Sequence, residues 1–410
     1  MKTVHKNILS VTLCVCCGLF ACRDHSQPRS GSLQQSDEVA ATMMGVSGAS
    51  SEELNKGSLS QMVSVLLSQA ATNPGDSAVA FNARFNARFD SLVLVLSSRL
   101  FTINEPAEII NALNTALFVE QKIVYDSSAT GFSAVSPVTV FAQKKGSMVG
   151  IGLLYLLLAE RLNVPIYGVV APDYFFVRFD NGIVRRNIEM SRKGMWLENE
   201  WYRTRFALQN DVWYDLRNLS KAEVSAVVLK ALGDALGDRG LWRAALPYFE
   251  RSAEQLYGYP DAYISLGMAY DTTGATDRAV QVYKKVKTFK ADMPLANLRL
   301  GLLYLRTKKY AEAVLEFQEG LILRPDDAPM LLGLARVYTR QNDFDRAQQT
   351  VQKVITRQPT YAEAYDCLAE LCTLRGDRDQ AATYRATAEK LRSIGTPDGV
   401  PAHTPRLFPE

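Results

Sequence analysis

Histidine and cysteine, the side chains most often used for nucleophilic and general-base chemistry, are confined to the two ends of this 410-residue chain. The histidines are His5, His25 and His403, and the cysteines are Cys14, Cys16, Cys17, Cys22, Cys367 and Cys372. Between residues 26 and 366 there is neither. Short of a terminus folding back, the middle of the chain can build no Cys-His or Ser-His pair and no ordinary zinc site. Carboxylates remain for acid–base work. Glu160, Asp173 and Glu189 are the candidates, although charged residues beside apolar segments are commonly solvated element ends. Nothing in the sequence calls for a metal or another cofactor.

All three carboxylates fall in one stretch, Lys144 to Glu189. Met148 to Ala159 is apolar on nearly every face and, at twelve residues, too short to cross a bilayer, so it is expected as a helix buried all round. Ser147 should cap its start, and Arg161, Asn163, Val164 and Pro165 are stop signals. Ile166 to Val170 is a β-branched strand run. Tyr174 to Asp180 and Ile183 to Glu189 flank Asn181-Gly182, a strong signal for a two-residue hairpin turn. Counting outward from that turn pairs Tyr174 with Glu189.

The order helix, strand, hairpin, with the words Lys-Gly-x-x-x-Gly, LLYLLLAERL, P-x-x-FFVR and NIE, resembles the transglutaminase-like branch of the papain-type cysteine fold. It is similar in particular to bacterial members that carry tetratricopeptide repeats downstream. The resemblance implies a nucleophilic Cys two residues after the glycine and a His just before the FFVR strand, positions that here hold Met148 and Tyr174. It places Glu189 where the family sets the acid that orients its His. A thioether has no proton to lose, and a phenol of pKa near 10 is a poor base at neutral pH. The resemblance therefore implies a vestigial site.

At the N-terminus, Lys2 and Lys6 precede an apolar run from Ile8 to Phe20 that ends in Leu19-Phe20-Ala21-Cys22. Residues 1–21 resemble a bacterial lipoprotein signal peptide, which implies cleavage before Cys22 and attachment of acyl chains such as palmitate to it. Residues 22–57 are rich in Ser, Gln, Gly and Ala without an apolar period, the composition of a disordered tether spanning on the order of 30 Å. Leu59 to Ala71 has helical spacing. Phe81, Phe85, Phe89, Leu92 and Leu96 stripe a second helix, and a third should begin with Asn104 as cap and Pro106 in its first turn, with Ile109, Leu113 and Leu117 inside. Ile123 to Tyr125 reads as a short strand. Residues 58–206 are thus expected as an α+β domain.

A strict period governs the rest. Gly233, Gly267, Gly301, Ala335 and Ala369 lie 34 residues apart, each preceded by a Leu, and Ala245, Ala279, Ala313, Ala347 and Ala381 keep step. A small residue at that period is the mark of tetratricopeptide repeats, helix pairs that stack into a superhelix. About five units are expected over 220–392, opened by a Ser220/Glu223 capping box, with a disordered tail over 393–410. Inner-face positions of the third unit are Leu295, Leu298, Leu302 and Leu305. Ile264 and Met268 adjoin on one side, and Leu332, Arg336 and Arg340 on the other, giving a groove with an apolar floor and a basic edge. Either an outside segment or the first domain could cover it. Cys367 and Cys372, five apart on one helix, point different ways and are expected as buried packing.

The net charge of +3 and the lack of a basic stripe interleaved with aromatics give no ground for a nucleic-acid partner, and 47% hydrophobic residues support true cores. The expected protein is a lipid-anchored cell-envelope scaffold, periplasm-facing. It has no enzymatic activity in its first domain and binds a protein or peptide in the repeat groove. Two other readings compete. One is a hydrolase or acyl-transfer enzyme working through carboxylates or a non-standard nucleophile; the other is a carrier that binds a small ligand between Met148, Tyr174 and Glu189.

Overall fold

The computed structural model describes residues 78–206, 208 and 216–394. The leader, Cys22, the tether, the expected helix over 59–71 and the tail from 395 lie outside the described residues. Helix α1 (Ala78–Leu100) comes first. Phe89, Leu92 and Leu96 are buried, and Phe85 and Phe89 stack at 5.1 Å between ring centres and meet Phe141 edge-on. Helix α2 (Pro106–Asn114) is capped by Glu105 rather than the expected Asn104. Pro106 takes the first helical position, where its missing N–H costs nothing, and so fixes the residue before it as the cap. Ile110 and Leu113 are its buried residues, with Ile109 half-buried, and an i→i+5 turn over Thr115–Glu120 continues the helix to bury Leu117.

Short elements then lead to the core: β1 (Val124–Tyr125), α3 (Phe132–Val135), α4 (Pro137–Gln143) and β2 (Lys145–Gly146), with β1 and β2 paired in parallel. Helix α5 (Met148–Leu162) is buried at every residue from Gly150 to Ala159. Ser147 Oγ accepts from the Gly150 amide at 3.2 Å and donates to the Ala134 carbonyl at 2.9 Å, and Asn163 ends the helix in the left-handed conformation at φ 55°. A sheet strand can lie tightly on α5 because Gly152 has no side chain: a Cβ there would sit 2.6 Å from the Phe175 ring.

That sheet is antiparallel, in the order β3 (Ile166–Ala171), β4 (Tyr174–Asp180), β5 (Arg185–Glu189), β6 (Met195–Leu197). On β4, Phe175 and Val177 face α5, while Tyr174 and Phe176 face the helix α6 (Asn199–Phe206). The β4–β5 turn corrects the sequence reading. Asp180 pairs with Arg185 and Val177 with Ile188, so the chain reverses at Gly182-Ile183, one residue beyond Asn181-Gly182. Gly182 has φ +86° and Asn181 is not left-handed, which suits a turn needing glycine at its first central position only. Asn181 instead uses its side chain, accepting from the Ile183 and Val184 amides at 3.1 and 2.8 Å. The register shifts by two as a result, so Glu189 does not stand opposite Tyr174. Because strand side chains alternate with period two, the shift leaves Glu189 on the same face.

Five helix pairs follow: α7 (Lys221–Gly237) with α8 (Trp242–Gln255), α9 (Pro260–Thr272) with α10 (Thr276–Phe289), α11 (Pro294–Arg306) with α12 (Tyr310–Leu323), α13 (Ala328–Arg340) with α14 (Phe344–Arg357), and α15 (Ala362–Arg375) with α16 (Arg378–Ile394). The Ser220/Glu223 capping box opens the series. The periodic small residue has a direct cause. A Cβ on Gly233, Gly267 or Gly301 would lie 2.4 to 2.6 Å from the ring of Phe249, Tyr283 or Phe317 on the second helix of the same pair. In the fourth pair, where the small residue is Ala335, the second helix offers Val351 instead, in the same core cluster. Cys367 and Cys372 are both unbridged and buried in that packing.

Candidate functional site

Tyr174 begins β4 and Glu189 ends β5, and despite the shifted register their side chains meet: the Tyr174 hydroxyl donates to Glu189 Oε1 at 2.8 Å. The same oxygen accepts from the Ser191 amide at 3.0 Å and the Ser191 hydroxyl at 2.8 Å, which makes Glu189 the cap of the 3-10 turn Met190–Arg192. The other oxygen accepts from the Tyr202 hydroxyl at 3.0 Å. Glu189 is wholly buried, so a carboxylate taken out of water is repaid by four donors. Tyr202 is fixed by stacking on Phe176, with ring centres 4.0 Å apart. Burial pushes the Tyr174 and Tyr202 phenols well above the ordinary range, and the Glu189 charge adds to the shift in both. Tyr125 on β1 is raised by burial and then by the same charge. Tyr174 and Tyr202 therefore donate to a carboxylate at neutral pH; they do not accept a proton.

Met148 is the first residue of α5 and is half-buried. The 3-10 turn that follows Glu189 packs against α5, and of the three positions singled out by the resemblance Tyr174 and Glu189 are in direct contact. Among the described residues no group of His, Cys, Asp and Glu is placed to hold a metal.

Next to this cluster lies a second polar network, around the wholly buried Arg178 of the FFVR strand. Its guanidinium donates to Asn187 Oδ1 at 2.6 Å and Asn199 Oδ1 at 2.9 Å, and also to the Leu216 carbonyl and Asn218. The strand is thereby tied to the segment that leads into α7. The Leu219 amide completes the junction by bonding the Gly168 carbonyl on β3 at 2.9 Å. Sequence reasoning missed Ser191, Tyr202, Asn199 and the role of Arg178. Ser191 was within reach, since a carboxylate two residues before a Ser is a capping arrangement; Tyr202 carries no local signal.

In the array, Met268, Leu295, Leu302 and Leu305 are half-buried on the helices that form the inner layer. Two expectations for the groove need correction. Leu298 is only 5% exposed, because α11 packs beside α9 and α13 and this residue is enclosed with them, and Leu332 is wholly buried in the core of the fourth pair. Arg336 and Arg340 do not stand clear for an acidic partner: both lie on Glu370 of the next unit, at 3.3 and 2.7 Å.

Residues 83–232 match the family model described as the transglutaminase-like superfamily, and residues 230–294 and 304–371 match two tetratricopeptide-repeat models. The chain therefore carries an α+β transglutaminase-like domain followed by an all-α tetratricopeptide superhelix. None of the curated proteins matches it. Solved structures are similar to part of the chain. One of MamA is 21% identical, covering 40% of this chain and 95% of that one at a TM-score of 0.35. MamA from Desulfovibrio magneticus RS-1 is 21% identical, covering 42% and 98% at 0.37. YrrB, a repeat protein with an unusual peptide-binding site, is 15% identical, covering 42% and 88% at 0.33.

Proposed function

We propose that this protein is a lipid-anchored scaffold of the bacterial cell envelope, held outside the cytoplasm by Cys22, whose repeat array captures a protein or peptide and whose first domain performs no Cys-His catalysis. The observation that carries the reading is the bond from Tyr174 to Glu189. Where the family would present an imidazole oriented by an acid, a high-pKa phenol donates to a carboxylate that three further donors already saturate. The Glu189 oxygens are engaged by donors within the domain, and the thioether of Met148 cannot form an acyl intermediate. The half-buried apolar positions Met268, Leu295, Leu302 and Leu305 support an apolar or amphipathic segment as the ligand of the groove.

The test uses residues 57–395 purified without the leader. Amine incorporation into acceptor proteins and hydrolysis of peptide and ester substrates should stay at the level of a buffer control. Turnover that disappears in Met148→Ala or Glu189→Ala, while a surface control such as Arg185→Ala keeps it, refutes the non-catalytic reading. Capture of a partner from a membrane extract should survive Tyr174→Phe and fail on changes at Leu302 and Leu305.

A further inference from the structure

Three inner-face positions recur through the array at the 34-residue period. Leu295, Leu298 and Leu302 of the third pair correspond to Asp261, Ile264 and Met268 of the second, and the latter two of these positions to Lys230 and Asp234 of the first. Ile264 and Leu298 are buried, so the half-buried Met268, Leu295 and Leu302 make the groove apolar in the middle, and it is charged at its head. The head is also where the first domain reaches in. The turn between β3 and β4 presents Asp173, held left-handed at φ 49°, and its amide donates to Asp261 Oδ2 at 2.9 Å. Asp261 itself is 4% exposed. The Asp173 carboxylate meets Lys230 Nζ at 3.4 Å, and Lys230 is braced by Asp234 at 2.9 Å, which in turn accepts from Ser265 at 3.0 Å. Burial works to lower the Lys230 ammonium, but Asp234 and then Asp173 outweigh it and hold its pKa above the usual lysine range.

We propose that Lys230, Asp234 and Asp261 form an internal docking site for the Asp173 turn, so that the head of the groove is filled by the first domain and an outside partner can occupy it only from Met268 onward. The chemistry of the site is specific. A backbone N–H that projects from a left-handed residue finds a buried carboxylate, and the adjoining side-chain carboxylate finds a cation. An extended apolar segment has backbone N–H groups to offer but no carboxylate for the cation. The docked turn ends at Tyr174, so the array also fixes the residue that bonds Glu189.

Amide-resolved hydrogen exchange on the chain without its leader tests this with no outside partner, so the answer does not depend on what the groove captures. In the wild type the Asp173 amide, although it lies in an exposed turn, should exchange as slowly as the interior amides of α9. Exchange at the rate of an unprotected turn overturns the proposal. Asp261→Ala should speed the Asp173 amide at least tenfold, Asp261→Asn, which keeps an acceptor oxygen, should stay within a few fold of wild type, and amides of α13 to α16 should not change. A folded Asp261→Ala with wild-type exchange at Asp173 also overturns it, and if that variant does not fold the wild-type measurement decides.

Discussion

If Glu189 is a structural hub and not a working carboxylate, removing its charge must destabilise the domain. Glu189→Gln keeps the shape and one acceptor oxygen. With the amide oxygen placed where Oε1 now takes three donors, the new NH₂ faces the Tyr202 hydroxyl, and two donors are opposed in a site closed to water. One hydrogen bond to a charged group is lost, contributing about 1.5–3 kcal/mol, and the remaining three become bonds to a neutral acceptor. A loss of about 2–3 kcal/mol follows, equivalent to a midpoint lower by roughly 4–12 °C for a domain of this size. Tyr202→Phe should cost a similar amount by leaving the second oxygen bare. Tyr174→Phe should cost about 1 kcal/mol, because Oε1 keeps both Ser191 donors. In a double-mutant cycle, Glu189→Gln with Tyr202→Phe should fall short of additivity by about 1–2 kcal/mol. Urea unfolding followed by far-ultraviolet circular dichroism reads all of these. Polar groups kept for catalysis or ligand binding usually cost stability, so a Glu189→Gln protein as stable as wild type, or more so, refutes the hub and returns the site to the enzyme or carrier readings.

Four further outcomes are expected. Cys22→Ala should abolish incorporation of labelled palmitate and leave uncleaved precursor. Leu302→Ser with Leu305→Ser, chosen because Leu298 belongs to the core, should weaken partner capture about a hundredfold if each half-buried Leu contributes about 1.5 kcal/mol, with circular dichroism unchanged. Arg178→Met should cost about 2–5 kcal/mol, since it strands the Leu216 carbonyl and the Asn187 oxygen in a buried site while Asn199 Oδ1 keeps only the Asn187 amide, and urea unfolding will show it. Stability should hold up to about pH 10 and then fall by as much as about 1.4 kcal/mol per pH unit for each of Tyr155 and Tyr202. Burial raises both folded pKa values above the unfolded one, so the folded state keeps protons that the unfolded state has released; the share of phenolate absorbance that is lost in Tyr155→Phe and Tyr202→Phe variants should appear only as the protein unfolds.

Features with a local cause were legible in the sequence. Ser147 and Asn163 bound α5 because capping and left-handed termination are properties of single residues, and the Ser220/Glu223 box is a matter of four consecutive positions. Where two local signals competed, the reading went wrong by one step. Pro106 outranked Asn104 in setting the start of α2, and the side-chain bonds of Asn181 moved the reversal on to Gly182-Ile183. The meeting of Tyr174 and Glu189 was found in spite of the register, since an error of two preserves the face. What stayed hidden depends on distant chain segments: Tyr202 on α6 closing the Glu189 shell, Leu216 and Asn218 receiving Arg178, Glu370 pairing with both Arg336 and Arg340. No periodicity encodes such partners.

The array carries its own control for one of these packing arguments. Three pairs set Gly against an aromatic ring, and the fourth sets Ala335 against Val351 in one cluster, so volume is exchanged across the helix pair. Gly301→Ala should gain about 1 kcal/mol of helix propensity yet lose about 1–3 kcal/mol by forcing a Cβ to within 2.6 Å of the wholly buried Phe317 ring. In a Phe317→Val background the clash is gone and only the propensity gain remains. Gly301→Ala should then stabilise the array, although Phe317→Val alone weakens it by opening space beside Gly301 and Gly333. A cycle measured by urea unfolding should give a coupling of about 1 kcal/mol or more in that direction. A coupling of zero would mean that the 34-residue glycine is not there to admit the ring, and the physical basis given for the period would be wrong.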